Sequence, residues 1–216
     1  VHLTSNETIG GVQYKEWPDV AESLVADMSS DLLSRRVPWE RFDVVYGGVQ
    51  KNVAPAGLAL VFIRRSALEH TQRDLASYFR YDVHASKDSM YNTPPVFPIY
   101  VMEKVLRWVH ARGGLPAMEA AADDRADLLY RTIDESDGFY TNPVEVASRS
   151  NMNVVFRLSD HDLESQFVAV ASGRGMVGLK GHRSVGGCRA SIYNAMPMAG
   201  VEALCEFMAD FQDSVG

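Results

Sequence analysis

Three observations predict an α/β fold. Short apolar runs, punctuated by Pro and Gly, fill the first part of the chain. Two helical patterns follow, and then a tail in which strand-like and helix-like runs alternate. Strands mixed in sequence with helices fit a mostly parallel sheet covered by helices, with a smaller α/β unit after it.

The elements read in order as follows. SLVAD (23–27), FDVVYGG (42–48) and GLALVFIRR (57–65) are short strands, the third rich in residues suited to a buried strand. Residues 70–93 are polar and aromatic with no clear period, which predicts a long loop, and such loops are often functional. PPVFPIYVMEKVLRWVHARGG predicts a helix with Val101, Val105, Trp108 and Val109 on its apolar face, closed by Gly113-Gly114. A second helix is predicted from about Pro116 to Ile133, with Pro near its start.

Beyond DESDGFYTNP the pattern changes. MNVVFRL reads as a strand, DHDLESQFVAVASGRG as a helix ending at Gly, MVGLKGHRSVGG as a strand and Gly-rich loop, and CRASIYNAM as a strand. AGVEALCEFMADFQDSV closes the chain as a helix whose Val201, Leu204, Cys205, Met208 and Phe211 repeat three and four apart. This βαββα tail predicts a small domain over residues 142–216, after a larger unit over residues 1–141.

Composition limits the function. With 216 residues, 46% of them hydrophobic, the chain is long enough to bury a sizeable core. A net charge of −7 argues against a nucleic-acid partner, which needs a basic stripe. Cys188 and Cys205 are too few for a disulfide scaffold and fit a reducing compartment. VHLTSNETIGG has neither the basic nor the apolar region of a signal peptide, and no apolar run approaches the roughly 20 residues of a membrane span. The expectation is a soluble cytoplasmic protein with no nucleic acid and no membrane.

Lys51 stands between two apolar runs, in YGGVQKNVAPAGLALVF. Most lysines are solvated. One at the rim of a core has its ammonium disfavoured, which makes it a competent nucleophile toward a carbonyl. A phosphate-binding role is also open, but Gln50 and Asn52 flank it where a P-loop needs Gly and Ser or Thr. Gly47 and Gly48 are expected to leave room for a ring. Asp27 ends an apparent strand: it caps the next turn, or it pairs with a cationic ring nitrogen. Pyridoxal phosphate wants both a lysine at its aldehyde and a carboxylate at its ring nitrogen. Ligands of open α/β sheets sit at the carboxyl ends of strands, where both residues fall. His182, Arg183 and Arg189 surround a Gly-rich turn, either as solvated charges or as an anion clamp for a substrate with two acidic ends. His2, His70, His84, His110 and His161 have no metal-ligand spacing, so no metal is expected.

The motifs GGVQKNVAPAGLALVFIRR, YNTPP and LKGHRSVGGCRASIYNAMP, with NETI near the start, resemble the phosphoserine aminotransferase family, fold-type-I enzymes of class V that depend on pyridoxal 5'-phosphate. The resemblance covers nearly the whole chain. It implies that Lys51 forms the covalent aldimine with the cofactor and that Asp27 partners its ring nitrogen. Thr8 would hydrogen-bond the ring's phenolic oxygen, and Gln50 the cofactor phosphate. Asn92 and Thr93 would reach the phosphate in the neighbouring subunit of a homodimer with shared active sites. Arg189 would hold the substrate α-carboxylate, with His182 and Arg183 near its phosphate or distal carboxylate. The implied reaction is reversible, ping-pong transamination of O-phospho-L-serine with 2-oxoglutarate, in serine biosynthesis and, with a related phosphorylated substrate, in pyridoxine biosynthesis. It also implies that an N-terminal portion of the large domain is missing from this chain. Two other readings stand beside it: another class V enzyme, such as a cysteine desulfurase or an alanine–glyoxylate aminotransferase, or a non-catalytic fragment that keeps the fold and dimer contacts.

Overall fold

Buried backbone must pair its N–H and C=O groups, and the apolar runs of the first part do so side by side. In the computed structural model, which describes residues 1–69 and 74–215, β1 (His2–Thr4), β4 (Val25–Asp27), β5 (Val44–Gly48) and β6 (Ala59–Ile63) form one sheet in the order β1-β4-β5-β6. His70 and the start of the expected loop over 70–93 lie outside the described residues. Between β1 and β4, β2 (Asn6–Glu7) and β3 (Val12–Gln13) make a separate antiparallel hairpin. Strands β1, β4 and β5 run parallel with Thr4, Asp27 and Tyr46 in register. Their carboxyl ends therefore meet along one edge of the sheet.

β6 runs antiparallel to β5. The expectation of a buried strand there is corrected: Val61 and Phe62 are 39% and 43% exposed. The strand has β5 on one side and no hydrogen-bonded strand on the other among the described residues. Apolar composition records the wish for a neighbour, not its presence.

The stretch expected to be loop holds α2 (Tyr81–Ala85), preceded by α1 (Arg65–Glu69). The Arg80–Asp82 ion pair, 2.6 Å, clasps the start of α2. Helix α3 (Val96–Ala111) stops ahead of Gly113-Gly114 as expected, and α4 (Gly114–Asp134) begins at once. Pro116 sits in the first turn of α4, where a missing N–H costs nothing. Ala126, Leu129, Tyr130 and Ile133 line the buried face of α4.

The tail contains β7 (Tyr140–Thr141), β8 (Asn153–Leu158), α5 (His161–Gly173), β9 (Cys188–Ser191) and α6 (Met198–Val215), with an antiparallel sheet β7-β8-β9. The order is ββαβα, not βαββα. The strand expected over 176–187 shrinks to one bridge, Lys180 to Cys188, because Gly175 and Gly178 take positive φ and cannot continue a pleat. Two cores result. Leu3, Ala26, Met28, Val45, Val49 and Val53 form one under the first sheet. The other joins α4, α5 and α6 to the tail sheet around Phe156, Phe167 and Phe207, with Phe167 at 5.6 Å and 4.9 Å from the other two rings. No helix among the described residues is long and apolar enough to cross a membrane.

Polar side chains stitch the two cores together. Asn6 Nδ2 donates to Asn153 Oδ1 at 2.9 Å and to Ser30 Oγ at 2.8 Å. Asn52 Oδ1 accepts the Asn194 N–H at 3.0 Å, while Asn194 Nδ2 donates to Leu33 O at 2.8 Å. All four asparagines are buried except for a sliver of surface. Asn52→Ala strips the Asn194 N–H of its acceptor. It is expected to lower stability by about 1–3 kcal/mol, read from the midpoint of urea unfolding.

Candidate active site

Lys51 is placed by its neighbours. Val49 and Val53 are fully buried, and their burial closes one helical turn past β5, with the N–H groups of Val53 and Ala54 both donating to Val49 O at 2.9 Å. Residues four apart share a side of such a turn, so Lys51, between them, points elsewhere. It is half-buried, and its Nζ donates to Thr8 Oγ1 at 2.5 Å. Burial holds its pKa below the usual lysine value, and Arg189 lowers it further; Asp27, Glu7 and Asp31 push back. The amine is therefore neutral at a lower pH than a solvated lysine would be.

Asp27 closes β4 at the same sheet edge. Its Oδ1 accepts the Ser29 N–H at 2.8 Å, so it does cap the next turn. It also faces the Tyr46 phenol, whose pKa is raised first by burial and then by the Asp27 charge. A Cβ on Gly47 would lie 3.2 Å from Ser29 N, and one on Gly48 would lie 2.5 Å from Gln50 Oε1. These glycines admit the Ser29 backbone and the folded-back Gln50 side chain. Gln50 itself is exposed.

Arg189 reaches the same point from β9. Its Nη1 donates to Thr8 O at 3.3 Å. Its Nε is buried without a hydrogen-bond partner. An unpaired donor on a half-buried guanidinium awaits an acceptor, and a carboxylate matches the fork. Thr8, Lys51 and Arg189 are thus brought together, with Asp27 close enough to act on Lys51 by its charge.

The other expected residues stand apart. His182 and Arg183 lie in the loop before β9, where Val185 N and Gly186 N both donate to His182 O. His182 Nδ1 pairs with Ser184 Oγ at 2.7 Å, and Arg183 is exposed. Asn92 and Thr93 are exposed, and Asn92 Nδ2 donates to Thr93 O at 3.2 Å. Burial pushes the Cys188 thiol up to about 12, so it stays protonated and unreactive near neutrality.

Sequence reasoning missed Asp31. It is buried and accepts from Ser5 Oγ, from Gln13 Nε2 at 3.3 Å and from Arg35 Nη2 at 2.9 Å. No periodic element marks it: Asp31 and Arg35 lie four apart in a turn that Leu33, at φ +63°, keeps from being helical. Chemically, the site offers an amine whose pKa burial lowers, a hydroxyl, a carboxylate and an arginine with a spare donor. That donor set fits a carbonyl-bearing, cationic-ring cofactor and a carboxylate substrate.

Known proteins carry the same arrangement of sequence. The family model described as "Aminotransferase class-V" matches residues 1–204. The chain is 48% identical over 213 residues to the phosphoserine aminotransferase of Lysinibacillus sphaericus, covering 98% of this chain and 59% of that protein. The solved phosphoserine aminotransferase from Bacillus circulans subsp. alkalophilus superposes with a TM-score of 0.97 at 49% identity, over 100% of this chain and 60% of that one. A pyridoxal-phosphate-bound phosphoserine aminotransferase from Trichomonas vaginalis gives 0.91 at 38% identity, over 96% of this chain and 59% of that one. The chain spans about three fifths of the length of the relatives it matches.

Proposed function

The chain belongs to the class-V aminotransferase family, and from that premise we propose that it carries the lysine, the ring-facing carboxylate and the substrate arginine of a pyridoxal-phosphate-dependent phosphoserine aminotransferase. The reaction exchanges O-phospho-L-serine and 2-oxoglutarate for 3-phosphooxypyruvate and L-glutamate, in the cytoplasm, for serine biosynthesis and pyridoxine biosynthesis. One observation carries the reading: Thr8 joins Lys51, through its hydroxyl, to an Arg189 that keeps one buried donor unpaired. The 48% identity to a phosphoserine aminotransferase favours this substrate over those of other class V enzymes.

Pyridoxal phosphate, when bound, supplies a carbonyl for amines and an electron sink for charge at the substrate Cα. Lys51 would hold it covalently, and the released amine would serve as base toward the substrate Cα proton and as acid in handing that proton to the cofactor's former carbonyl carbon; a lowered pKa suits a group that must both take and give a proton. Asp27 would hold the ring nitrogen protonated through its charge. Thr8 orients the lysine and Gln50 contributes to the phosphate site. Arg189 takes the α-carboxylate, and His182 and Arg183 take the distal anionic group.

Asn92 and Thr93 complete the phosphate site of the other subunit in a homodimer. The support is a run of exposed apolar side chains just after them in the chain: Val96, Phe97 and Tyr100 are all more than half exposed. We also propose the division into residues 1–141, part of the large cofactor-binding domain, and residues 142–216, the small domain. The two separate cores support it, with α4 lending its face to the second.

Arg189→Ala in the full-length enzyme tests the assignment. A hydrogen-bonded charge is worth about 1.5–3 kcal/mol, so KM for both substrates is expected to rise roughly 10- to 100-fold. The visible absorbance of the bound cofactor stays intact. An unchanged KM removes Arg189 from the carboxylate role. A second reading is a chain that keeps the fold but does not turn over by itself.

A further inference from the structure

We propose that Glu7, which no motif assigns, is a positioning residue of this site: its carboxylate fixes the turn that carries Thr8, and through Thr8 it aligns Lys51 with Arg189. The proposal rests on the aminotransferase reading and deepens it.

Residues 8–11 connect β2 to β3. Glu7 captures three successive amides of that connection. Its Oε1 accepts the Ile9 N–H at 2.9 Å, its Oε2 the Gly10 N–H at 2.5 Å, and its backbone carbonyl the Gly11 N–H at 3.0 Å. A carboxamide in the same pose would turn its NH2 toward one of these amides, whereas a carboxylate gives each amide its own oxygen. With these amides held, the Thr8 peptide cannot turn freely. Its hydroxyl faces Lys51 Nζ and its carbonyl faces Arg189 Nη1.

The turn is also backed from behind. Ser150 N donates to Gly11 O at 2.9 Å. Gly11 has φ +71°, and a Cβ there would lie 2.7 Å from Asn153 O. Retreat toward the second core is therefore blocked, and Glu7 closes the remaining freedom. The charged groups facing Lys51 are Asp27, Arg189, Glu7 and Asp31, so Glu7 also contributes to the field in which the amine titrates.

The test compares Glu7→Ala, Glu7→Gln and Glu7→Asp with wild type, as full-length protein. Amide hydrogen exchange at Ile9 and Gly10, in cofactor-free protein, is expected to quicken at least about tenfold in Glu7→Ala, as a lost charged hydrogen bond implies. In the holoenzyme, KM for both substrates rises about tenfold by the same loss at Arg189, and the pH at which the cofactor's visible band titrates moves. Glu7→Asp restores all three, because a shorter carboxylate still accepts amides two and three residues ahead. Should Glu7→Ala fail to fold, Glu7→Gln carries the same readings, since it keeps the volume and loses one acceptor. Wild-type KM and titration in Glu7→Ala overturn the proposal. So does a fall in melting temperature alone, or a loss that Glu7→Asp does not rescue. Failure of the aminotransferase reading is seen separately, as wild-type protein without a visible band that depends on Lys51.

Discussion

Lys51→Ala is expected to abolish the visible absorbance that pyridoxal phosphate gains on binding, and to cut kcat of the full-length enzyme at least roughly 10⁴-fold. Positioned acid–base catalysis alone is worth roughly 10²–10⁴, and the covalent attachment is lost with it. The same scan on this 216-residue chain separates the two functional readings. A Lys51-dependent band means the chain holds cofactor by itself; a folded chain with no band means that it does not. The pH dependence follows from the direction of the Lys51 shift. Its folded pKa lies below the usual lysine value, so the neutral amine appears as pH rises and is more than half formed by about 10.4. Attachment rates are therefore expected to climb above neutrality and level off earlier than with a solvated lysine. A plateau at or above the solvated value would falsify the burial argument.

Asp27→Asn carries the second large effect. Asparagine still accepts the Ser29 N–H with its carbonyl oxygen, so the turn after β4 survives while the charge is lost. An opposite charge within about 4–6 Å shifts a pKa by about 1–3 units, so turnover is expected to fall roughly 10- to 1,000-fold. Asp27→Ala is expected to fall as far in kcat, and further in stability because the Ser29 amide is orphaned. The sign at Lys51 is fixed as well: Asp27 favours the ammonium, so removing it lowers the lysine pKa again. Near-normal kcat in Asp27→Asn means that Asp27 is only a turn cap.

Those two residues were legible because each ends a recognisable apolar run, and parallel strands align their ends. The helix stop at Gly113-Gly114 and the buried face of α6 were legible for a similar reason: they follow from period and punctuation. What escaped was short or relational. β1, β2 and β3 have two or three residues each, too few to display alternation. The exposure of β6 depends on what lies beyond it, which composition does not encode. Glu7 bonds the amides just ahead of it, but its purpose shows only once Lys51 and Arg189 are seen to converge on Thr8. The βαββα expectation failed on two glycines whose positive φ bends the chain where an apolar run promised a strand.

The convergence on Thr8 has a consequence for birth on the ribosome. Lys51 lies 43 positions after Thr8, whereas Arg189 lies 181 positions after it. Domains fold as they emerge, N-terminal part first. The amine and its hydroxyl partner can therefore meet long before the guanidinium has been translated. On the roles proposed for these residues, a nascent chain would acquire its grip on an aldehyde early and its choice of carboxylate late. The interval between the two would be a window in which the lysine waits without the residue that selects its customer.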